Sequence, residues 1–120
     1  MEDFEKIYID GVCVVAVNLS RSTINEAKDF RQVVEGEINS GITKLVIDLS
    51  ECEFIDSTFF GVIIITLKMM KSKGYSLKLI QPANFGDDIF TTRNLTNFFD
   101  LYKTREDAIR SFENDPQNKS

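Results

Sequence analysis

Histidine and tryptophan are absent from this chain of 120 residues, and cysteine and proline occur only twice each. Without histidine the chain lacks the commonest general base, zinc ligand and near-neutral proton carrier, so catalytic triads, metallohydrolase centres and His-based phosphorelays cannot be built from it alone. An enzyme is therefore not expected, and neither is a metal. The two cysteines, Cys13 and Cys52, form no CxxC pair and read as small core residues. Neither GxGxxG nor GxxxxGK[ST] occurs, so no glycine-rich loop is present to hold the phosphates of a cofactor. Basic charge is short too: 14 Lys and Arg stand against 19 Asp and Glu, a net charge of −5 that disfavours a nucleic-acid partner. The longest uncharged apolar stretch, residues 59–67, falls far short of the roughly 20 residues needed to cross a bilayer. The first residues carry no signal-peptide pattern, and the expectation is a cytoplasmic protein away from the membrane.

What the chain does have is enough apolar residue for one core, with 42% hydrophobic residues. Residues 1–112 read as a single domain and residues 113–120, which contain Asp115-Pro116, as a frayed tail. Two β-rich runs, Phe4–Ile9 and Val12–Val17, flank Asp10-Gly11, a dipeptide suited to a tight type I′ turn. The second run is apolar on both faces, as in a strand covered on both sides. Thr23-Ile24-Asn25-Glu26 has capping-box spacing and opens a helix with an apolar stripe at Ile24, Ala27, Phe30, Val34 and Ile38, which Gly41 ends.

A β-branched strand, Lys44 to Leu49, leads through a polar loop into a second helix from Phe59 to Lys73, with Phe60, Ile63, Ile64, Leu67 and Met70 as its expected buried stripe. Ser76–Ile80 reads as a strand, 84–93 as a short helix, 98–102 as a brief strand, and Thr104-Arg105-Glu106-Asp107 opens a last helix through Phe112. Strands alternating with helices predict an α/β domain. Its sheet is mixed, of four to five strands, begins with an antiparallel hairpin and is covered by about four helices.

The segment with chemical interest is Asp56-Ser57-Thr58, where a loop meets the start of the second helix. Helix N-termini favour anions and modifications through unpaired amides and the positive end of the dipole. On a purely structural view one of the three is simply the N-cap. Asp48, Glu51, Glu53 and Asp56 read as a solvated acidic face. In the doublets Phe59-Phe60 and Phe98-Phe99 an element can fully bury only one ring and leave the other to a partner, although aromatic residues more often belong to the core.

The run from Leu45 to Ile63 resembles a STAS domain, and the whole chain resembles a free-standing anti-sigma factor antagonist. The likeness lies in Asp48-Leu49-Ser50, Asp56-Ser57-Thr58 and Gly61, and further on in Leu77-Lys78-Leu79-Ile80-Gln81-Pro82, Leu95-Thr96-Asn97-Phe98-Phe99 and Tyr102-Lys103-Thr104-Arg105-Glu106-Asp107-Ala108. It implies a STAS-like fold and partner switching without catalysis. An anti-sigma factor serine kinase binds the unphosphorylated protein and phosphorylates it, and a PPM-type serine phosphatase reverses the modification. Carried over, the phosphorylated residue is Ser57, with Asp56 orienting the loop or the kinase's metal and nucleotide environment, Thr58 capping the helix, and Phe59, Ser20, Arg21 and Ser22 contributing partner contacts.

This chain departs from the family pattern twice. Phe59 and Phe60 stand where small residues and Leu are usual, and the loop that usually supplies an aspartate near the phosphoserine carries Arg21 instead. The alternative to a switch is a constitutive scaffold or ligand-binding signalling module that phosphorylation does not regulate.

Overall fold

The computed structural model describes residues 2–83 and 99–114. Strands β1 (Phe4–Ile9) and β2 (Val12–Val17) form the expected hairpin, paired antiparallel from Phe4 opposite Val17 to Ile9 opposite Val12. The turn between them places both Asp10 (φ 52°) and Gly11 (φ 80°) in the left-handed region, as a type I′ turn requires. After β2 come β3 (Arg21–Ser22), α1 (Ile24–Asn39), β4 (Lys44–Asp48), β5 (Phe54–Ile55), α2 (Ser57–Ser72) and β6 (Ser76–Ile80). β7 (Asp100–Tyr102), α3 (Arg105–Ser111) and a 3-10 turn (Phe112–Asn114) follow.

The main sheet has five strands in the order β1-β2-β4-β6-β7, antiparallel at β1-β2 and parallel elsewhere. β2 lies inside it and all six of its residues are buried, in keeping with its apolar character on both faces. Among the described residues there are three α-helices; the additional helix expected over 84–93 lies outside them, as does 115–120 of the expected tail. Glu113 and Asn114, also expected in the tail, continue α3 into the 3-10 turn.

Alternation along the strands builds a core on each face. On one, Cys13, Val15, Val17, Leu45, Ile47, Leu77 and Leu79 pack against Ala27, Phe30, Val34 and Ile38 of α1 and Phe59, Ile63, Leu67 and Met70 of α2. On the other, Val12, Val14, Val46 and Ile80 pack under Ala108 of α3 and Phe112. Polar groups reach both cores and are satisfied there. The Lys78 ammonium is buried with its charge 4.9 Å from the Phe112 ring centroid, 5.6 Å from that of Tyr102 and 3.6 Å from an Asp100 oxygen.

The Glu37 carboxylate of α1 is buried beneath the hairpin and accepts from the Tyr8 hydroxyl and from Cys13 Sγ at 3.5 Å, with Lys6 Nζ at 3.6 Å. The hydrogen bond to Glu37, followed by burial, pushes the Tyr8 phenol up to about 12. Burial, then the nearby carboxylate, pushes the Cys13 thiol up to about 12. Burial does the same for Cys52, to about 11. At neutral pH both thiols are therefore protonated and poor nucleophiles. Both are buried and unbridged, as small core residues should be.

Two apolar stripes differ from the pattern read along the chain. In α1, Ala27, Phe30, Val34 and Ile38 are buried, but Ile24 is 63% exposed, because it is the first residue of the helix and projects past the end of the packed layer. In α2 the buried positions are Phe59, Ile63, Thr66, Leu67 and Met70. Phe59 and Thr66 thus take the places expected for Phe60 and Ile64.

Candidate functional site

α1 and α2 pack on the same face of the sheet, and both begin at the end of the sheet where β2 and β4 finish. At the start of α1, Thr23 Oγ1 accepts from Asn25 N at 3.2 Å and Glu26 Oε1 accepts from Thr23 N at 2.9 Å. This is the expected capping box. At the start of α2 the N-cap is Asp56, whose Oδ1 accepts from Phe59 N at 2.8 Å. The other oxygen, Oδ2, reaches across and accepts from Ile24 N, the first amide of α1, at 2.8 Å. One carboxylate therefore holds the amino ends of two helices and joins residues 32 positions apart.

Capping by Asp56 corrects the role expected for Thr58, which is exposed and lies two positions beyond the cap, inside the helix. Each amide that Asp56 satisfies is one that the helix cannot bond internally. Replacing Asp56 by Ala is expected to lower stability by about 1–3 kcal/mol, the sum of two capping bonds at the usual magnitude. Asp56→Asn, with one acceptor oxygen left, should lose about half as much. Urea denaturation of the two variants checks the ratio.

A second device fixes the loop before α1. β3 pairs with β5 as a separate two-stranded parallel ribbon, Arg21 opposite Phe54 and Ser22 opposite Ile55. Ser20 O accepts from Glu53 N at 2.8 Å and Phe54 N at 2.9 Å, and Ser22 O accepts from Asp56 N at 3.0 Å. Residues 20–22 are thus laid beside the segment that leads into Ser57. The pairing is two residues long and has no signature in the sequence. Only the contact between distant segments creates it.

Ser57 is exposed at the first position of α2. Of the residues expected at this surface, Ser20, Arg21 and Thr58 are exposed and Asp56 is half-buried. Arg21 lays its guanidinium over the Phe54 ring, 4.5 Å from the centroid. Two expected members of the surface are absent from it. Ser22 has no exposed area and turns inward, its Oγ 3.5 Å from Cys52 Sγ. Phe59 has none either: it stacks on Phe30 at 4.5 Å between centroids and lies 6.5 Å from Phe4. A side chain without surface cannot touch a partner, and the contact expected of Phe59 is corrected to a core role. The half-buried ring of the doublet, Phe60, instead packs edge-on against Phe99 at 6.2 Å.

The acidic cluster is likewise divided. Glu51 and Glu53 are exposed, as expected of a solvated face. Asp48 is buried, accepting from Arg105 Nε at 2.7 Å and from Ser50 N at 2.9 Å. Among the described residues no group of three or more Cys, Asp or Glu side chains is arranged to hold a metal ion, and no helix is long and apolar enough to cross a membrane.

The model of the STAS domain family matches residues 4–108. The chain belongs to the STAS domain family. A Thermotoga maritima protein assigned as an anti-sigma factor antagonist is 30% identical to this STAS protein over 102 residues, 84% of this chain and 89% of that one. A crystal structure of an anti-sigma factor antagonist from Thermotoga maritima, also so assigned, superposes with a TM-score of 0.77 at 28% identity, covering 92% of this chain and 94% of the other. SpoIIAA in its unphosphorylated form matches with a TM-score of 0.73 at 17% identity, over 92% of this chain and 97% of that one. The phosphorylated form of SpoIIAA from Bacillus gives 0.70 at 16%, over 91% and 98%. At these identities the likeness to SpoIIAA is one of fold. The mixed sheet that starts with an antiparallel hairpin is the architecture that the sequence predicts.

Proposed function

We propose that this STAS protein is an anti-sigma factor antagonist that works by partner switching in the bacterial cytoplasm. Unphosphorylated, it binds an anti-sigma factor serine kinase. Phosphorylated on Ser57, it lets the kinase go. The observation that carries this reading is the setting of Ser57, an exposed hydroxyl at the first position of a helix whose preceding carboxylate is already committed to two backbone amides. The relatives assigned as anti-sigma factor antagonists support the same role.

In the modification the Ser57 oxygen forms a bond to the γ-phosphorus of ATP, the bond from that phosphorus to the β-γ bridging oxygen breaks, ADP leaves and the hydroxyl proton passes to the kinase. A PPM-type serine phosphatase returns the hydroxyl by hydrolysis and releases inorganic phosphate. The STAS protein contributes no catalytic group of its own and is not an enzyme. The added phosphate brings a charge of about −1.5 to −2, next to Asp56 in a chain already at −5. Two helix amino ends nearby tolerate the dianion. Binding changes while the fold persists.

The test is incubation with the anti-sigma-type serine kinase of the source organism and ATP, followed by mass mapping and binding assays. Phosphate is expected on Ser57, with Ser57→Asp binding the kinase at least a hundredfold more weakly than wild type. Equal binding by wild type, Ser57→Ala and Ser57→Asp would instead support a constitutive scaffold.

A further inference from the structure

We infer that Ile24 and Arg21 form the partner-selecting half of the surface centred on Ser57. Ile24 is an apolar anchor, and Arg21 is a cation that meets a carboxylate on the bound kinase. The inference rests on the partner-switching reading and names the chemistry of the partner's complementary surface: an apolar socket flanked by an acid.

Ile24 is 63% exposed, more than Tyr8 at 58%, Ile65 at 47% or Ile9 at 39%, the other large hydrophobic side chains with substantial exposure among the described residues. It is also firmly held. Its amide donates to Asp56 Oδ2 at 2.8 Å, and the preceding Thr23 is locked by the capping box. An apolar residue on a pre-ordered backbone loses little conformational freedom when it docks, which is the property of an interface anchor. The carboxylate that holds it belongs to the residue immediately before Ser57. Anchor and phosphorylation site thus share one bracket, and a partner seated on Ile24 meets any phosphate on Ser57.

Arg21 supplies the sign. Across residues 20–22 and 51–58 it is the single cation, against Glu51, Glu53 and Asp56. Its guanidinium is placed by the Phe54 ring at 4.5 Å and its backbone by the β3-β5 ribbon. A uniformly basic partner surface would complement the three acids but clash with this fixed cation, so Arg21 rejects such partners and favours one that carries an acid at that point.

The experiment measures binding of the source organism's anti-sigma-type serine kinase to wild type, Ile24→Ser, Arg21→Glu and Ser57→Asp. Urea midpoints of the first three are recorded as a fold control. Ile24→Ser is expected to weaken binding about 10- to 100-fold, as loss of a buried aliphatic anchor does. Arg21→Glu should weaken it about tenfold or more, with a smaller deficit at high salt. Ile24→Ser should leave the urea midpoint unchanged, and Arg21→Glu should lower it only slightly, through loss of the contact with the Phe54 ring. If wild type binds and Ser57→Asp does not, yet Ile24→Ser and Arg21→Glu bind within twofold of wild type, the inference is overturned and the switch reading stands. If wild type does not bind the kinase, both are overturned.

Discussion

Phe59→Ala should cost about 3–5 kcal/mol of folding stability, the range for truncating a fully buried aromatic side chain. Against a total of about 5–15 kcal/mol for an ordinary domain, that leaves the variant marginal at best. The magnitude follows from where the ring sits. Phe59 has no exposed area and stacks on Phe30 with centroids 4.5 Å apart and planes 16° from parallel, while Phe4 closes the cluster at 5.4 Å from Phe30. Three elements, β1, α1 and α2, meet through these three rings. Removing the Phe59 ring leaves a cavity beside Phe30 and Phe4. Phe59→Leu, which keeps much of the volume, should cost about 1–2 kcal/mol and leave partner binding unchanged. Urea denaturation together with a binding assay on the leucine variant separates a core residue from a contact residue. A binding defect in Phe59→Leu at unchanged stability would contradict the assignment.

Arg105→Ala should lower stability by about 2–4 kcal/mol, and by more than Asp48→Ala. The asymmetry comes from exposure. The Asp48 side chain is 5% exposed and that of Arg105 is 41% exposed. Removing Arg105 strands a buried carboxylate whose remaining partner is Ser50 N at 2.9 Å. Removing Asp48 leaves a guanidinium that water can solvate. The figure lies below the 3–5 kcal/mol usual for breaking a fully buried pair, because solvent reaches one side of this one. A double-mutant cycle by urea denaturation should return a coupling energy of about 1 kcal/mol or more. Equal losses for the two single variants would show that the carboxylate is not effectively desolvated. The pair fastens α3 to the carboxyl end of β4, so an Asp that resembles part of a functional motif in the sequence has a structural task.

Much of the fold was legible because it is encoded locally. Asp10-Gly11 permits two consecutive left-handed residues and so dictates the hairpin. Thr23 and Glu26 sit three apart and so dictate where α1 starts. The doubly apolar β2 announces an interior strand. Errors arose where local pattern leaves a phase undetermined. In α2 almost every residue from Phe59 to Leu67 is apolar, so periodicity could not say whether Phe59 or Phe60 faces inward. The choice is made by the cap at Asp56 and by the space beside Phe30.

The site divides along the same line. Family resemblance singled out Ser57; the sequence by itself determined that the chain has no histidine chemistry and that Asp56-Ser57-Thr58 opens a helix behind a strand. These depend on composition and on spacings of a few residues, which one segment carries without help. Only the tertiary structure decided that Asp56 caps both helices, that Ser22 and Phe59 turn inward, and that Ile24 and Arg21 stand exposed beside Ser57. Each of those outcomes is set by backbone amides and ring faces contributed from some thirty residues away, and no local pattern records what a distant segment will bring.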